Sequence, residues 1–148
     1  MNEAEGIVRG FFGGAINTHD LDACAAYCSD AYVWHGAAGD VVGLPSFKAA
    51  LAGFFAAFPD VQADILDLVA GTDRVAIRYR ETATHRGDFM GVAATGVVAR
   101  WEGMAIYRAS HGLLVEEWSV ADTLSLLTQI GASPATVGTP TSVEPKGG

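Results

Sequence analysis

The sequence predicts an α+β fold, with three helices from its N-terminal half packed on the concave face of a curved, mostly antiparallel sheet. Three observations carry this. Apolar residues recur at helical spacing up to Phe58. From Val61 the period changes to two and persists to Ala121. Two turns, Gly71-Thr72-Asp73 and Ser110-His111-Gly112, divide that second part into consecutive strands, with glycine free to take positive φ. Long strands on one sheet curl, and helices against the concave side leave a pocket between the layers.

The elements follow in order. Glu3 to Asn17 reads as a helix with Ile7, Val8, Phe11, Phe12, Ala15 and Ile16 on one face. Gly6, Gly10, Gly13 and Gly14 weaken it, each by ~1 kcal/mol relative to Ala, or let it approach a neighbour closely. Asn17-Thr18-His19-Asp20 breaks it, and a short second helix runs from Leu21 to Cys28. Ala31 to His35 is a strand, closed by Gly36 and a loop. Pro45 begins a third helix, Ser46 to Phe58, ended by Pro59. Val61–Val69 and Arg74–Thr84 form a hairpin, His85 to Gly96 a loop, Val97–Arg108 the next strand, and Val115–Ala121 the last. A helix, Thr123–Ile130, completes the domain at residue 131. The segment 132–148, rich in Pro, Thr and Gly, is expected to be a flexible tail.

The 148 residues suit one domain, and half of them are hydrophobic. A net charge of -8 with no basic patch argues against nucleic acid. No apolar run reaches the length of a membrane span, and MNEAEGIVRG does not read as a signal peptide, so a soluble, cytoplasmic protein is expected. Cys24 and Cys28 read as buried thiols, and the four histidines lack metal-site spacing, so no metal is expected.

Asp122 ends an otherwise apolar strand. A buried acid there would have a raised pKa and suit proton transfer without a cofactor. The competing reading is that Asp122 caps the helix after it. Arg78, Arg80 and Arg100 with Glu81, Glu102, Glu116 and Glu117 suggest ion pairs on the outer sheet face. Trp34, Trp101 and Trp118 read either as flat walls for an apolar ligand or as core and interface aromatics. Phe89 and Met90 read as a lid on the long loop. Outward Val98, Met104 and Ile106 predict a homodimer.

Several motifs resemble one family: Thr84-His85-Arg86-Gly87, the loop Gly91 to Gly96, Tyr107-Arg108 through His111-Gly112, and Glu117-Trp118 followed by Asp122 and Leu127-Thr128-Gln129-Ile130-Gly131. Together they look like the SnoaL-like polyketide cyclases, also called ester cyclases, of the nuclear-transport-factor-2-like cone fold. The resemblance implies a cone domain over 1–131 and cofactor-free ring closure by an intramolecular aldol step on an apolar, carbonyl-containing ligand. It implies Asp122 as acid and base. His85, in the family's Thr-His-x-Gly motif, would donate to an enolate oxygen or orient Asp122; otherwise it shapes the loop. His35 lies near the general-base position of ketosteroid isomerases, which share the fold. With Asp122, His85 and His35 as catalytic candidates, the substrate-binding candidates are Trp34, Tyr79, Phe89, Met90, Trp101 and Trp118. Epoxide opening, isomerisation and pure ligand binding occur on the same fold. Three departures stand out: Ala93 and Ala94 replace two prolines, Arg86 replaces a small polar residue, and Ala105 stands where aldol cyclases carry a helper histidine.

Overall fold

A computed structural model describes residues 2–132. The predicted tail, from residue 133 onward, lies outside the described residues. Six strands form one curved sheet in the order β2-β1-β6-β5-β4-β3. They are β1 (Cys28–Gly36), β2 (Gly39–Val42), β3 (Gln62–Ala70), β4 (Arg74–Thr84), β5 (Val98–Ser110) and β6 (Leu113–Ala121). All neighbours are antiparallel except β1 and β6, which run parallel. Helices α1 (Glu3–Phe11) and α2 (Leu44–Ala57) cover the concave face, and α3 (Thr123–Gln129) follows β6.

The first helix departs from the expected Glu3–Asn17 span. Asn2 caps α1 by accepting the Glu5 N–H. At Phe12 the helix widens into a π-helical turn through Ile16, closed by the Asn17 N–H on the Phe12 carbonyl at 2.8 Å. The glycines have a packing reason. A Cβ on Gly10 would lie 2.7 Å from the Tyr27 ring, and one on Gly14 would overlap the Tyr27 hydroxyl. The wide turn delivers Asn17 to β3, where its amide both donates to and accepts from the Ala63 backbone at 3.0 and 2.7 Å.

Two other expectations are corrected. The second helix is a single 3-10 turn, Asp22–Ala26, because Cys28 already belongs to β1. The stretch after Gly36, read as a loop, carries the short strand β2, which Gly39 starts with φ 119°. Both cysteines are buried and free, as expected.

The concave face holds two apolar clusters with Leu51 of α2 packed against both. One joins Phe11, Phe12 and Phe47 to Tyr32, Tyr79 and Tyr107. The other joins Phe55 and Phe58 to Trp101, Leu126, Leu127 and Ile130. The end of β4 is latched to α2: Arg86 and Gly87 N–H groups donate to the Ala57 carbonyl, and a Cβ at Gly87 would lie 2.5 Å from the Ala56 carbonyl oxygen. Asp60 accepts from both the N–H and the hydroxyl of Thr84, which holds its carboxyl below the usual carboxylate range.

On the convex face, Arg78 bridges Asp67 of β3 and Glu102 of β5, and Arg80 meets the same Glu102 at 3.1 Å. These are the cross-strand pairs that the charge pattern suggests. Val98, Met104, Ile106 and Val120 are exposed beside them.

Candidate functional site

Along β4 the inward row is Val75, Ile77, Tyr79, Glu81 and Ala83. Tyr79 belongs to the first apolar cluster and Ala83 to the second, so Glu81 falls in the gap between them. Across the sheet Glu81 pairs with Ala63 on β3 and Trp101 on β5. On β5 the inward row is Trp101, Gly103, Ala105 and Tyr107. The Tyr79 hydroxyl lies over Gly103, in space that any Cβ there would fill.

On β6 Leu114 faces inward, but the register slips opposite Arg108 and Ala109. Arg108 pairs with Glu116 and Ala109 with Leu114, so Val115 is the extra, bulged residue. The bulge reverses the alternation. Glu117 turns inward and is buried, while Glu116 and Trp118 turn outward. A polar seam therefore crosses the concave face between two greasy walls, with Glu117 and Ser119 on β6, the bare Gly103 and the Tyr79 hydroxyl, and Glu81 on β4.

Glu117 is well supported. The Tyr32 hydroxyl of β1 donates to its Oε1. Ser119, two residues along β6, accepts at Oγ from Trp34 Nε1 at 2.6 Å. Burial pushes the Glu117 carboxyl up to about 7, outweighing the Tyr32 bond, which favours the ionised form. Burial also pushes Glu81 up to about 7, with the Glu117 charge adding to the effect. The Glu117 charge thus favours the protonated form of Glu81. Burial, then the Glu117 charge, drives the hydroxyls of Tyr32 and Tyr107 well above their ordinary range, so they act as neutral donors.

The three catalytic candidates occupy three separate environments. Asp122 is exposed, not buried as expected. Its Oδ1 accepts the Ser125 N–H at 3.0 Å, so it is the N-cap of α3, the competing reading of the sequence. It borders an open recess of about 360 Å³ beside Arg80, Arg100 and Glu102 on the outer side of the sheet. The bulge explains the correction: with phase reversed, residues 118, 120 and 122 face out.

His85 is fully buried in the second cluster, 5.5 Å from the Phe58 ring. Thr95 donates its N–H to Nδ1, and its hydroxyl lies 2.9 Å from the same nitrogen. The His85 backbone bonds Val97 and Gly96, so this residue clamps both ends of the long loop. Its Nε2 is buried without a hydrogen-bond partner among the described residues.

His35 lies on the convex side, stacked 5.2 Å from Trp118. Its Nδ1 is 2.8 Å from Asp40 and its Nε2 is 2.6 Å from Glu116. Only an imidazolium can donate to both carboxylates. The Glu116 bond, then the Asp40 bond, raises the His35 pKa, and the same His35 contact lowers that of Glu116.

The substrate-binding candidates divide likewise. Trp34 and Tyr79 face the seam, and Trp101 stands at its edge, packed on Phe54 and Phe58. Trp118 is on the opposite face between His35 and Arg74, whose guanidinium sits 5.1 Å above its ring. Phe89 packs on Phe58, and Phe89 and Val92 exchange backbone bonds at 2.9 Å around a tight turn. Met90 at its tip is exposed with φ 48°, so the expected lid is a small hairpin. Ala105 faces inward and pairs with Ser119, at the seam.

Sequence reasoning missed Glu81 and Glu117, both assigned to outer ion pairs. The signal for Glu81 was its alternation with Tyr79 and Ala83. Glu117 carried no such signal, because a one-residue bulge leaves no mark in the pattern.

Three comparisons bear on this geometry. The family model described as SnoaL-like polyketide cyclase matches residues 6–130. A comparison with curated proteins gave no match. Among solved structures, AclR, a putative hydroxylase from Streptomyces galilaeus, is 32% identical, covers 89% of this chain and 98% of its own, and has a TM-score of 0.80. IdmH, a putative polyketide cyclase from Streptomyces antibioticus, is 27% identical over 88% of this chain and 100% of its own, with a TM-score of 0.78. A putative SnoaL-like polyketide cyclase from Jannaschia sp. CCS1 has a TM-score of 0.81 at 21% identity, covering 89% of this chain and 94% of its own.

Proposed function

Because the chain belongs to the SnoaL-like polyketide cyclase family, we propose that it is a cofactor-free enzyme moving protons on an apolar, carbonyl-containing small molecule at the Glu117–Glu81 seam. The observation that carries this reading is the pair of inward carboxyls, both raised to about 7, between two aromatic walls. The ionised member takes a proton from a carbon flanked by carbonyls. The enolate forms a carbon–carbon bond to a second carbonyl of the same molecule. The resulting alkoxide takes the proton of the other carboxyl, so charge balances over the cycle. The neutral hydroxyl of Tyr79 serves as donor to developing oxyanions, while that of Tyr32 stays on Glu117. Asp122 then acts as a helix cap, His85 as a loop clamp and His35 as a clasp on the outer face.

The second reading is water addition in the same place. It is favoured by Ala105, which leaves the aldol helper histidine missing. We also read the protein as cytoplasmic and as a homodimer through the exposed outer face of β5 and β6. Among the described residues no helix is long and apolar enough to cross a membrane.

The test is turnover of a poly-β-carbonyl compound in ¹⁸O-water. Glu117→Gln and Glu81→Gln are expected to lose about 10²–10⁴-fold in rate with the fold intact. Asp122→Asn is expected to keep its rate. Loss of turnover in folded Asp122→Asn with full rate in Glu117→Gln would return the acid–base role to Asp122. Solvent oxygen appearing in the carbon skeleton would select water addition over ring closure.

A further inference from the structure

Strand β1 takes hold of β6 on both faces of the sheet. On the convex side His35 Nε2 lies 2.6 Å from Glu116 Oε2, and Arg108 of β5 holds the other oxygen of that carboxylate at 3.1 Å. On the concave side the Tyr32 hydroxyl donates to Glu117 Oε1. These two glutamates are the first residues after the Val115 bulge, so a side-chain bond on each face holds the reversed phase of β6. The ladder between β1 and β6 slips at the same level, between Cys28 and Val33, and Tyr32 is the last residue of that slipped stretch.

The register explains the reach. Glu117 is aligned with Trp34, so a donor two residues earlier on β1 meets its carboxyl diagonally. Tyr32 is itself fixed without help from β6. Its carbonyl accepts the N–H of Gly43, the residue that begins α2, at 2.7 Å. Its ring is fully buried and stands edge-on to Phe47 of α2, with centroids 4.9 Å apart. A phenol packed in this way does not follow the carboxyl; the carboxyl is held by the phenol. The other titratable groups on this face are Cys28 of β1, Tyr79 and Glu81 of β4, and Tyr107 of β5, while α1 and α2 bring Phe11, Phe12 and Phe47.

We propose that Tyr32 is a positioning residue: it fixes Glu117 through Oε1 and leaves Oε2 as the oxygen that exchanges a proton with the ligand. This deepens the proposed function and rests on Glu117 as its acid–base group, the ionised member of the pair. The hold on the carboxyl is nevertheless measurable without substrate.

The experiment has two arms, both on the full chain. In the first, the Glu117 carboxyl is titrated by ¹³C NMR on substrate-free protein labelled at glutamate side chains, with Glu117→Gln used for assignment. Tyr32→Phe keeps the ring and removes the donor, and is expected to raise the Glu117 midpoint by about 1 pH unit. Replacing Tyr32 by meta-fluorotyrosine, whose hydroxyl is a stronger donor, is expected to lower the midpoint below the native value. In the second arm, Tyr32→Phe is expected to lower kcat on the poly-β-carbonyl compound about tenfold with KM near native, and to move the acidic limb of the pH–rate profile up with the midpoint. A packing role alone would not make the midpoint follow the strength of the donor. A midpoint unchanged in folded Tyr32→Phe, or unmoved by meta-fluorotyrosine should Tyr32→Phe fail to fold, overturns the proposal, as does native kcat in Tyr32→Phe when Glu117→Gln is inactive. Inactive Glu117→Gln with an unmoved midpoint sinks the positioning role alone; moved midpoints with active Glu117→Gln sink the acid–base reading alone.

Discussion

A single missing methyl decides the shape of the seam at Gly103. The Tyr79 hydroxyl occupies the space a Cβ would need, with Trp101 two residues along β5. Gly103→Ala forces the ring off its rotamer or toward Glu81. Overpacking of this kind costs typically 1–3 kcal/mol. It is expected to lower the melting temperature and also to shift the Tyr79 ring resonances, which NMR of the variant would read. An unaltered Tyr79 environment would mean that the strand moves instead. Glu81, unlike Glu117, has no hydrogen-bond donor beside it among the described residues, so its proton affinity is governed by burial and by its fellow carboxyl.

At the scale of elements, strand phase was the deciding quantity. The alternation along β4 and β5 is clean, and it placed Tyr79 and Trp101 inward and Glu102 outward from sequence alone. On β6 the bulge at Val115 inverted every later side chain, which exchanged Glu117 for Glu116 and turned Trp118 and Asp122 away from the interior. The helix before Pro59 and strands β3 to β6 were readable because their patterns run for many residues, whereas the second helix is only the 3-10 segment Asp22–Ala26. Strand β2 has four residues and three of them are exposed, too short for a period to register. The same alternation leaves an apolar stripe outside: Met104 pairs with Val120, 62% and 71% exposed, with Val98 and Ile106 on the same side. A second copy is the occupant proposed for it. Met104→Glu with Val120→Glu is expected to give a monomer with an unchanged circular dichroism spectrum in sedimentation velocity. A native protein that is already monomeric at micromolar concentration defeats the dimer.

For the whole molecule, the raised carboxyls tie stability to pH. Their folded values of about 7 lie above the ordinary glutamate value of 4.5, so the folded chain holds protons that the unfolded chain releases. Their contribution is fully present below about 4.5, is lost as pH rises toward 7, and is flat beyond. Its ceiling is on the order of 3 kcal/mol per carboxyl, less for a coupled pair. Denaturant melts of the native chain should show stability falling over that window, and Glu81→Gln with Glu117→Gln should flatten it; an identical slope in the double variant would refute the assignment. His35 acts in a later window, because its raised value makes its contribution fade only above the ordinary 6.5. The parallel pairing of β1 with β6 carries one more consequence. Tyr32 meets Glu117 and Trp34 meets Ser119 across 85 residues, so no shorter stretch of chain contains the acid together with its tyrosine donor. During synthesis the first strand waits with an open edge until the sixth emerges, and a ribosome stalled before Leu113 would present two walls of a room whose third has not yet been built.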